Sequence, residues 1–362
     1  MKKTKVVVAL SGGVDSAVAA AVLQQQDFEV SAIFLRSWFD RSIDPDSDNR
    51  CCSLEASTVA RQVADRLNVP FRVLNIHVPF RQMVVEYFLQ QLAAGITPNP
   101  CIVCNKLIRF DHLWKVAHLQ GADYLATGHY ARLKRTTNGI EMWRGFDASK
   151  DQSYMLSALS QTQLKRTLFP LGDMTKSRVR VIATKLGLKS ADRPDSQDLC
   201  FIPKNKYAEF VGKYLKLKAG DIVTTEGKVI GQHKGLSLYT IGQREGLNIG
   251  GGVPYYVMRK DAKQNRLIVV DRQHIKLLNA ESFQFVKPTF ISGVAPKLPF
   301  RCLVQTRYHT RPISGVLKRT GRAFEIHLNK SQRAVTSGQA AVLYQGDKLI
   351  GGGIIGRVGE SR

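Results

Sequence analysis

Two stretches of the 362-residue chain carry residue types that do chemistry. In Ser11-Gly12-Gly13-Val14-Asp15-Ser16, small residues leave consecutive backbone N–H groups open, and the glycines reach dihedrals barred to other residues. Such a loop closes around phosphate oxygens, and Asp15 can hold Mg²⁺ against them. In Thr97-Pro98-Asn99-Pro100-Cys101-Ile102-Val103-Cys104-Asn105-Lys106, two thiols stand three residues apart beside a lysine. A free thiol with a pKa of ~8.5 is only slightly ionised at neutral pH, so nearby positive charge governs its reactivity. The prolines forbid helix up to Pro100, and a helix is expected from near Asn105. That puts Cys104 close to a helix N-terminus, where the dipole and Lys106 both lower its pKa. A third thiol, Cys200, follows a Ser-Gln-Asp run in the loop-like stretch 191–203.

The loop needs a strand before it and a helix after it. Lys5–Leu10 is a short, nearly unbroken apolar run, as for a strand buried on both faces, and Val14–Gln25 is rich in helix formers. Strands are expected at Glu29–Trp38, Phe71–His77 and Tyr124–Tyr130. Helices are expected at Ser53–Leu67, with Ser53 as N-cap, at Pro79–Ala94 before Gly95, at Asn105–Gln120 before Gly121, and at Ser177–Leu186 before Gly187. A hairpin turns at Asn138-Gly139. Strands alternating with helices predict an α/β fold with a doubly wound parallel sheet. Ligands of such sheets bind at the carboxyl ends of the strands, so Ser11–Ser16, Leu35–Trp38 and Thr127–Tyr130 should gather there.

From about residue 205 the character changes to glycine and β-formers. Strands are expected at Arg266–Val270, Arg301–Tyr308, Gly315–Lys318 and Ala340–Leu343. Three domains follow: 1–204 for the parallel sheet, a small linking domain at 205–278, and a C-terminal β-barrel at 279–362. The formal charge of +24 is uneven. Residues 1–200 hold 26 Lys+Arg against 19 Asp+Glu, a net of +7, and residues 201–362 hold 27 against 10, a net of +17. Solubility does not require that excess; a polyanion such as nucleic acid does, with phosphate contacts weakened by salt.

The chain has no run of 18 apolar residues and no signal-peptide pattern, so it is expected in the cytoplasm and not in a membrane. There, its six cysteines, at 51, 52, 101, 104, 200 and 302, are not expected to form stable disulfides. The pair 101/104 is open to a zinc half-site, a redox pair or packed thiols; a second C-x-x-C is missing, and Cys51-Cys52 has no assignable role.

The loop at residues 11–16 is neither a Walker A loop, since no Lys-Ser/Thr pair follows, nor a G-x-G-x-x-G fingerprint. It resembles the PP-loop of the ATP pyrophosphatase superfamily, whose members split ATP between its α and β phosphates and transfer AMP to a substrate oxygen. The series Ser11–Ser16, Thr97–Asn105, Thr127–Tyr130, Lys150-Asp151-Gln152-Ser153-Tyr154, Ser196–Pro203, Tyr239–Gly246 and Val335–Gly353 resembles, in that order, the motifs of the tRNA-specific 2-thiouridylases. That resemblance implies an enzyme that adenylates the C2 oxygen of a wobble uridine and replaces AMP with sulfur. It implies that Cys200 carries a persulfide, delivered by a sulfur-relay protein or cysteine desulfurase, and that Cys104 is its partner thiol. It assigns Ala9, Leu10, Ser11, Gly12, Gly13, Val14, Asp15, Ser16, Leu35 and Gly128 to ATP, with Mg²⁺. It places Asn99, Pro100 and Cys101 by the target base, His129, Lys150, Asp151 and Gln152 on the tRNA, and Arg307, Tyr308 and Gln345 on its anticodon stem-loop; the chain is expected to work as a monomer. Many members have Asp where this chain has Cys101. Cys101, Cys104 and Cys200 are therefore also a possible ligand set for a [4Fe–4S] cluster, which three thiolates can hold. Two other classes stay open: another PP-loop adenylating synthetase, and a non-catalytic RNA-binding protein.

Overall fold

The computed structural model of the chain describes residues 3–43, 54–188 and 199–360. Strand β1 (Lys5–Leu10) is central because Val6, Val7 and Val8 are buried, with neighbours on both faces. It pairs in parallel with β2 (Glu29–Arg36) and, on its other side, β4 (Tyr124–Ala126). Outside these lie β3 (Phe71–Asn75) and β7 (Thr167–Leu168), giving the order β3-β2-β1-β4-β7. Helix α1 (Val14–Gln25) is apolar almost all round and is buried from Ser16 to Leu23. It packs with α2 (Leu54–Arg66) and α8 (Lys176–Lys185) on one face of the sheet.

The other helices of this unit are longer than their α segments. After β3 the chain runs through α3 (His77–Phe80), a π segment (Arg81–Val85) and α4 (Glu86–Ala93), closed by Gly95 at φ +76°. Then come α5 (Pro100–Cys104), a second π segment (Asn105–His112) and α6 (Leu113–Leu119). Short α7 (Gln161–Leu164) leads into β7. Three expected strands of this unit stop early: β2 at Arg36, β3 at Asn75, where a helix begins at His77, and β4 at Ala126. The hairpin of β5 (Ala131–Thr136) and β6 (Gly139–Arg144) pairs Thr136 with Gly139, so its loop is Thr137-Asn138 and Gly139 opens the return strand at φ +117°. Ser53, Cys51-Cys52 and residues 189–198 lie outside the described residues.

Helix α9 (Tyr207–Tyr214) opens the second unit, whose sheet joins β8 (Gly220–Val223), β9 (Val229–His233), β10 (Tyr255–Asp261) and β11 (Arg266–Asp271). The third is a six-strand antiparallel barrel of β12 (Asn279–Phe290), β13 (Phe300–Gln305), β14 (Ile313–Thr320), β15 (Ala323–Arg333), β16 (Ala340–Gln345) and β17 (Lys348–Glu360). Pairing of β12 with β17 closes it. Hairpin β5–β6 extends the barrel sheet through Leu349 and Met142. An apolar core of Leu113, Tyr154, Val342 and Tyr344 then runs from the parallel sheet into the barrel. No helix among the described residues is long and apolar enough to cross a membrane.

Candidate active site

The Ser11–Ser16 loop is held in shape by its own serines. Ser16 Oγ accepts from the Ser11 N–H at 3.1 Å and donates to the Gly13 carbonyl at 3.0 Å. Gly12 sits at φ +75°, and a Cβ there would lie 2.5 Å from the Ala56 carbonyl oxygen of α2. Gly13 is the N-cap of α1 and supplies no side-chain cap, so the helix start presents backbone amides of the kind that bind anions. Gly128, just past β4, packs so closely that a Cβ would meet the Asp15 and Ser16 backbone at 2.6 and 2.7 Å. The gathering of residues 11–16 and 127–130 at one sheet edge is therefore real. Ala9 and Leu10 end β1 below the loop, Val14 is buried, and Leu35 is half-buried at the end of β2.

Asp15 is the loop's charged centre. Its carboxylate accepts from Lys176 Nζ at 2.7 and 2.8 Å and from the Tyr130 hydroxyl at 2.6 Å. Sequence reasoning missed Lys176. One signal was available: it opens a helix capped by Thr175, and a cation at a helix N-terminus opposes the dipole, which marks a residue kept for another purpose. A carboxylate, a buried ammonium and open helix amides form a donor set that fits a magnesium-bound triphosphate.

The thiol segment departs from expectation. The helix starts at Pro100, not near Asn105, because proline at the first helical position loses only an N–H that has no helical partner anyway. Asn99 is the N-cap, its side chain accepting from the Ile102 N–H at 3.4 Å. Cys101 therefore occupies the first turn, and Cys104 is the last residue of α5, followed by a π segment. Cys104 and Cys200 pack against one apolar cluster that includes Ile76, Phe80, Phe88 and Phe201. Phe201 fixes that end of the Cys200 loop, with ring centroids 5.4 Å from Phe88 and 5.7 Å from Phe210. Cys101 is half-buried outside that cluster. The three thiols are not gathered as ligands: among the described residues, no group of three or more His, Cys, Asp or Glu side chains is placed to hold a metal ion. Among the described residues, the [4Fe–4S] ligand set finds no support.

Behind the thiols runs a polar chain. Asn105 Nδ2 donates to the Met155 carbonyl at 2.9 Å, and Arg109 reaches Asn105 Oδ1 at 3.4 Å and His129 Nε2 at 3.3 Å. Arginine only donates, so Nε2 accepts, and His129 carries its proton on Nδ1, donating to Thr127 Oγ1 at 2.7 Å. Burial, together with the Arg109 charge, pushes the His129 pKa down to about 3. His129 is thus a buried neutral ring beside the nucleotide loop.

The remaining expected RNA residues fall into two groups. Asp151 is buried and accepts from Arg144 at 2.8 Å, from the Gly145 and Ser153 N–H groups at 3.0 Å each, and from Ser153 Oγ at 3.0 Å. Arg144 continues to Gln305 in the barrel at 3.2 Å. Gln152 bonds the Tyr130 backbone, accepting from its N–H at 3.0 Å. Arg307 donates to the carbonyls of Ile241 at 3.0 Å and Ala334 at 2.8 Å, tying the second unit to the barrel. Arg144 and Arg307 thus link units, whereas the bonds of Asp151 and Gln152 stay within the first. Lys150 and Tyr308 are half-buried, and Gln345 is exposed at the end of β16.

Family models match the chain in three parts: a tRNA methyl transferase HUP domain over residues 4–204, a tRNA methyl transferase PRC-barrel domain over 208–271, and an aminomethyltransferase beta-barrel domain over 279–355. A tRNA-specific 2-thiouridylase from a Roseiflexus species is 42% identical over 376 residues, covering 98% of this chain and 99% of that protein. Its counterpart from Carboxydothermus hydrogenoformans is 42% identical, with 98% of both chains covered. The one from Francisella philomiragia is 40% identical over 98% of this chain and the whole of its own. With similarity running end to end through all three units, the chain belongs to the tRNA-specific 2-thiouridylase family.

Proposed function

We propose that this chain is a tRNA-uridine 2-sulfurtransferase, using ATP and Mg²⁺ to activate the C2 oxygen of a wobble uridine and sulfur to displace AMP. The observation that carries the proposal is the pairing of an Asp15–Lys176 phosphate loop with Cys104 and Cys200, which share one cluster at the same domain's edge.

In the first step the uridine C2 oxygen attacks the α-phosphorus of ATP, and pyrophosphate leaves. Residues Ser11–Ser16 and Gly128 hold the nucleotide, and Lys176 balances phosphate charge. Asp15 would hold Mg²⁺, which neutralises the departing pyrophosphate. A carbonyl oxygen is a very poor leaving group, and AMP is a good one. In the second step the terminal sulfur of a Cys200 persulfide replaces AMP. Cys104 then attacks the Cys200 sulfur of the resulting C2–S–S–Cys200 bridge, releasing thiouridine and leaving a Cys104–Cys200 disulfide. Alternatively Cys104 attacks first and releases sulfide, which displaces AMP; the same disulfide forms. Either way an external thiol reductant must return two electrons per turnover. A sulfur-relay protein or cysteine desulfurase recharges Cys200. Asn99, Pro100 and Cys101 border the target base, and Lys150, Tyr308 and Gln345 meet the anticodon stem-loop. The working form is a cytoplasmic monomer, divided at 1–204, 205–278 and 279–362.

The test supplies unmodified tRNA, ATP, Mg²⁺, a persulfide donor and a thiol reductant. The expected products are 2-thiouridine, by nucleoside mass spectrometry, with AMP and pyrophosphate. Cys104→Ser and Cys200→Ser should abolish thiolation yet leave tRNA-dependent pyrophosphate release. Full activity in both variants would mean another adenylating synthetase. Absence of AMP and pyrophosphate with tRNA bound would mean a non-catalytic RNA-binding protein.

A further inference from the structure

The segment that delivers α5 to the site is gripped from outside its own unit. Thr97 donates its N–H to the Ser337 carbonyl at 3.3 Å. Gln339 Nε2 donates to the Thr97 carbonyl at 3.1 Å and lies 3.5 Å from that of Pro98. Gly338, at φ +91°, lies so close that a Cβ there would stand 2.1 Å from Ile96 Cγ2 and 2.8 Å from the Thr97 carbonyl oxygen. Gln339 is itself fixed in the barrel: its N–H donates to the Thr336 carbonyl at 3.2 Å, and its carbonyl accepts from the Ile355 N–H at 2.8 Å. The second unit adds Lys260 Nζ on the Gly95 carbonyl at 3.2 Å and Ser237 Oγ on the Leu92 carbonyl at 3.1 Å.

Two residues beyond Thr97 the Asn99 cap starts α5, which spans only Pro100–Cys104. It continues without a break through the π segment and α6 to Leu119, so Cys101 and Cys104 stand at the N-terminal end of a long helical stretch, the end that these anchors hold. The anchor nearest the thiols that is also part of the barrel is the Gln339 carboxamide.

We propose that Gln339 is a positioning residue for sulfur transfer: its side chain locks the Thr97-Pro98 carbonyls to the barrel and so keeps Cys101 and Cys104 in register with RNA bound there. The proposal rests on the thiolation chemistry above. It concerns where the thiols stand and assigns Gln339 no contact with RNA. Misplacing a reacting group by about 1 Å costs on the order of 100-fold in rate.

The test compares Gln339→Met, which keeps the bulk and loses the donor, Gln339→Glu, which is isosteric and turns an acceptor toward the carbonyls, and Gln339→Lys, which keeps an N–H donor. Two quantities are read: steady-state thiolation, and alkylation of Cys101 and Cys104 by iodoacetamide, followed by peptide mass spectrometry. Gln339→Met and Gln339→Glu should lower kcat roughly 10- to 100-fold, with KM for tRNA within about twofold of the parent, and should change the alkylation rates. Gln339→Lys should recover most of both. Unchanged kcat and alkylation in the Met and Glu variants would overturn the proposal. So would a raised KM with kcat intact, which marks an RNA contact, or no rescue by lysine, which marks simple packing. If the parent protein does not thiolate while the variants still alter alkylation, the positioning stands and the thiolation chemistry fails.

Discussion

Lys176→Met removes the charge beside Asp15 while keeping most of the side-chain volume. The Lys176 side chain is 9% exposed and that of Asp15 is 31% exposed, with contacts of 2.7 and 2.8 Å. Breaking a fully buried pair costs about 3–5 kcal/mol. Asp15 keeps the Tyr130 hydroxyl and partial solvent contact, so the stability cost here should be nearer 2 kcal/mol. The catalytic cost should be larger. A preorganised donor facing developing negative charge is worth about 3–4 kcal/mol, or roughly 100- to 1,000-fold in rate. The assay is tRNA-dependent pyrophosphate release, with thermal melting to verify folding. Lys176→Arg should retain part of the activity, since the charge remains while its geometry changes. A folded Lys176→Met protein releasing pyrophosphate within threefold of the parent would refute the placement of Lys176 at the phosphates.

Three further outcomes follow from the same geometry. Cys101→Ser should retain at least a third of the parent thiolation rate, measured by nucleoside mass spectrometry, because Cys101 lies outside the cluster shared by Cys104 and Cys200. Asp151→Ala strands the Arg144 guanidinium at the joint with the barrel and should cost about 3–5 kcal/mol of stability, read as a lower Tm, without reducing the salt dependence of tRNA binding. Burial alone would raise the Asp40 pKa, but hydrogen bonds from Lys213, Tyr214 and Ser42 win and lower it to about 2. A carboxylate with a lowered folded-state pKa stabilises fully above its unfolded pKa and loses that stability as pH falls. The α9 contact should therefore weaken between about pH 4 and pH 2, seen in the fluorescence of Trp38, whose ring centroid is 6.4 Å from Phe210. Asp40→Asn should abolish that step.

The start of the chain was legible because every local signal agrees. Val6-Val7-Val8 suits a strand buried on both faces, Ser-Gly-Gly suits the turn, and the alanine-rich run after it suits a buried helix; β1 and α1 have the expected bounds. At Pro100 two signals conflict. Proline stops a helix that precedes it and starts one that follows, and the decision lay with Asn99, a good N-cap. The π segments carry no local signature. Barrel closure joins β12 to β17, strands more than fifty residues apart in sequence, and alternation within either strand does not name the partner.

Charge type was the least readable feature of the site. The family resemblance assigns Asp151, Gln152 and Arg307 to tRNA, and in the structure each also makes hydrogen bonds within the protein. The distinction is physical. A group that reads phosphate must keep donors toward solvent, whereas one that fixes a joint must be desolvated and saturated. On the proposed function, the basic excess of residues 201–362 would attract RNA, while the buried polar residues at the joints would set the angle at which it is received. On the proposed chemistry that angle matters, because the activated oxygen would arrive on a large, flexible polymer while Cys101 and Cys104 stand at the N-terminal end of the helical stretch Pro100–Leu119. Contacts from the barrel and the second unit on the segment before α5 couple the position of Cys101 and Cys104 to both units, so a change at Gln339 should register at the thiols, and that is what the Gln339 variants test.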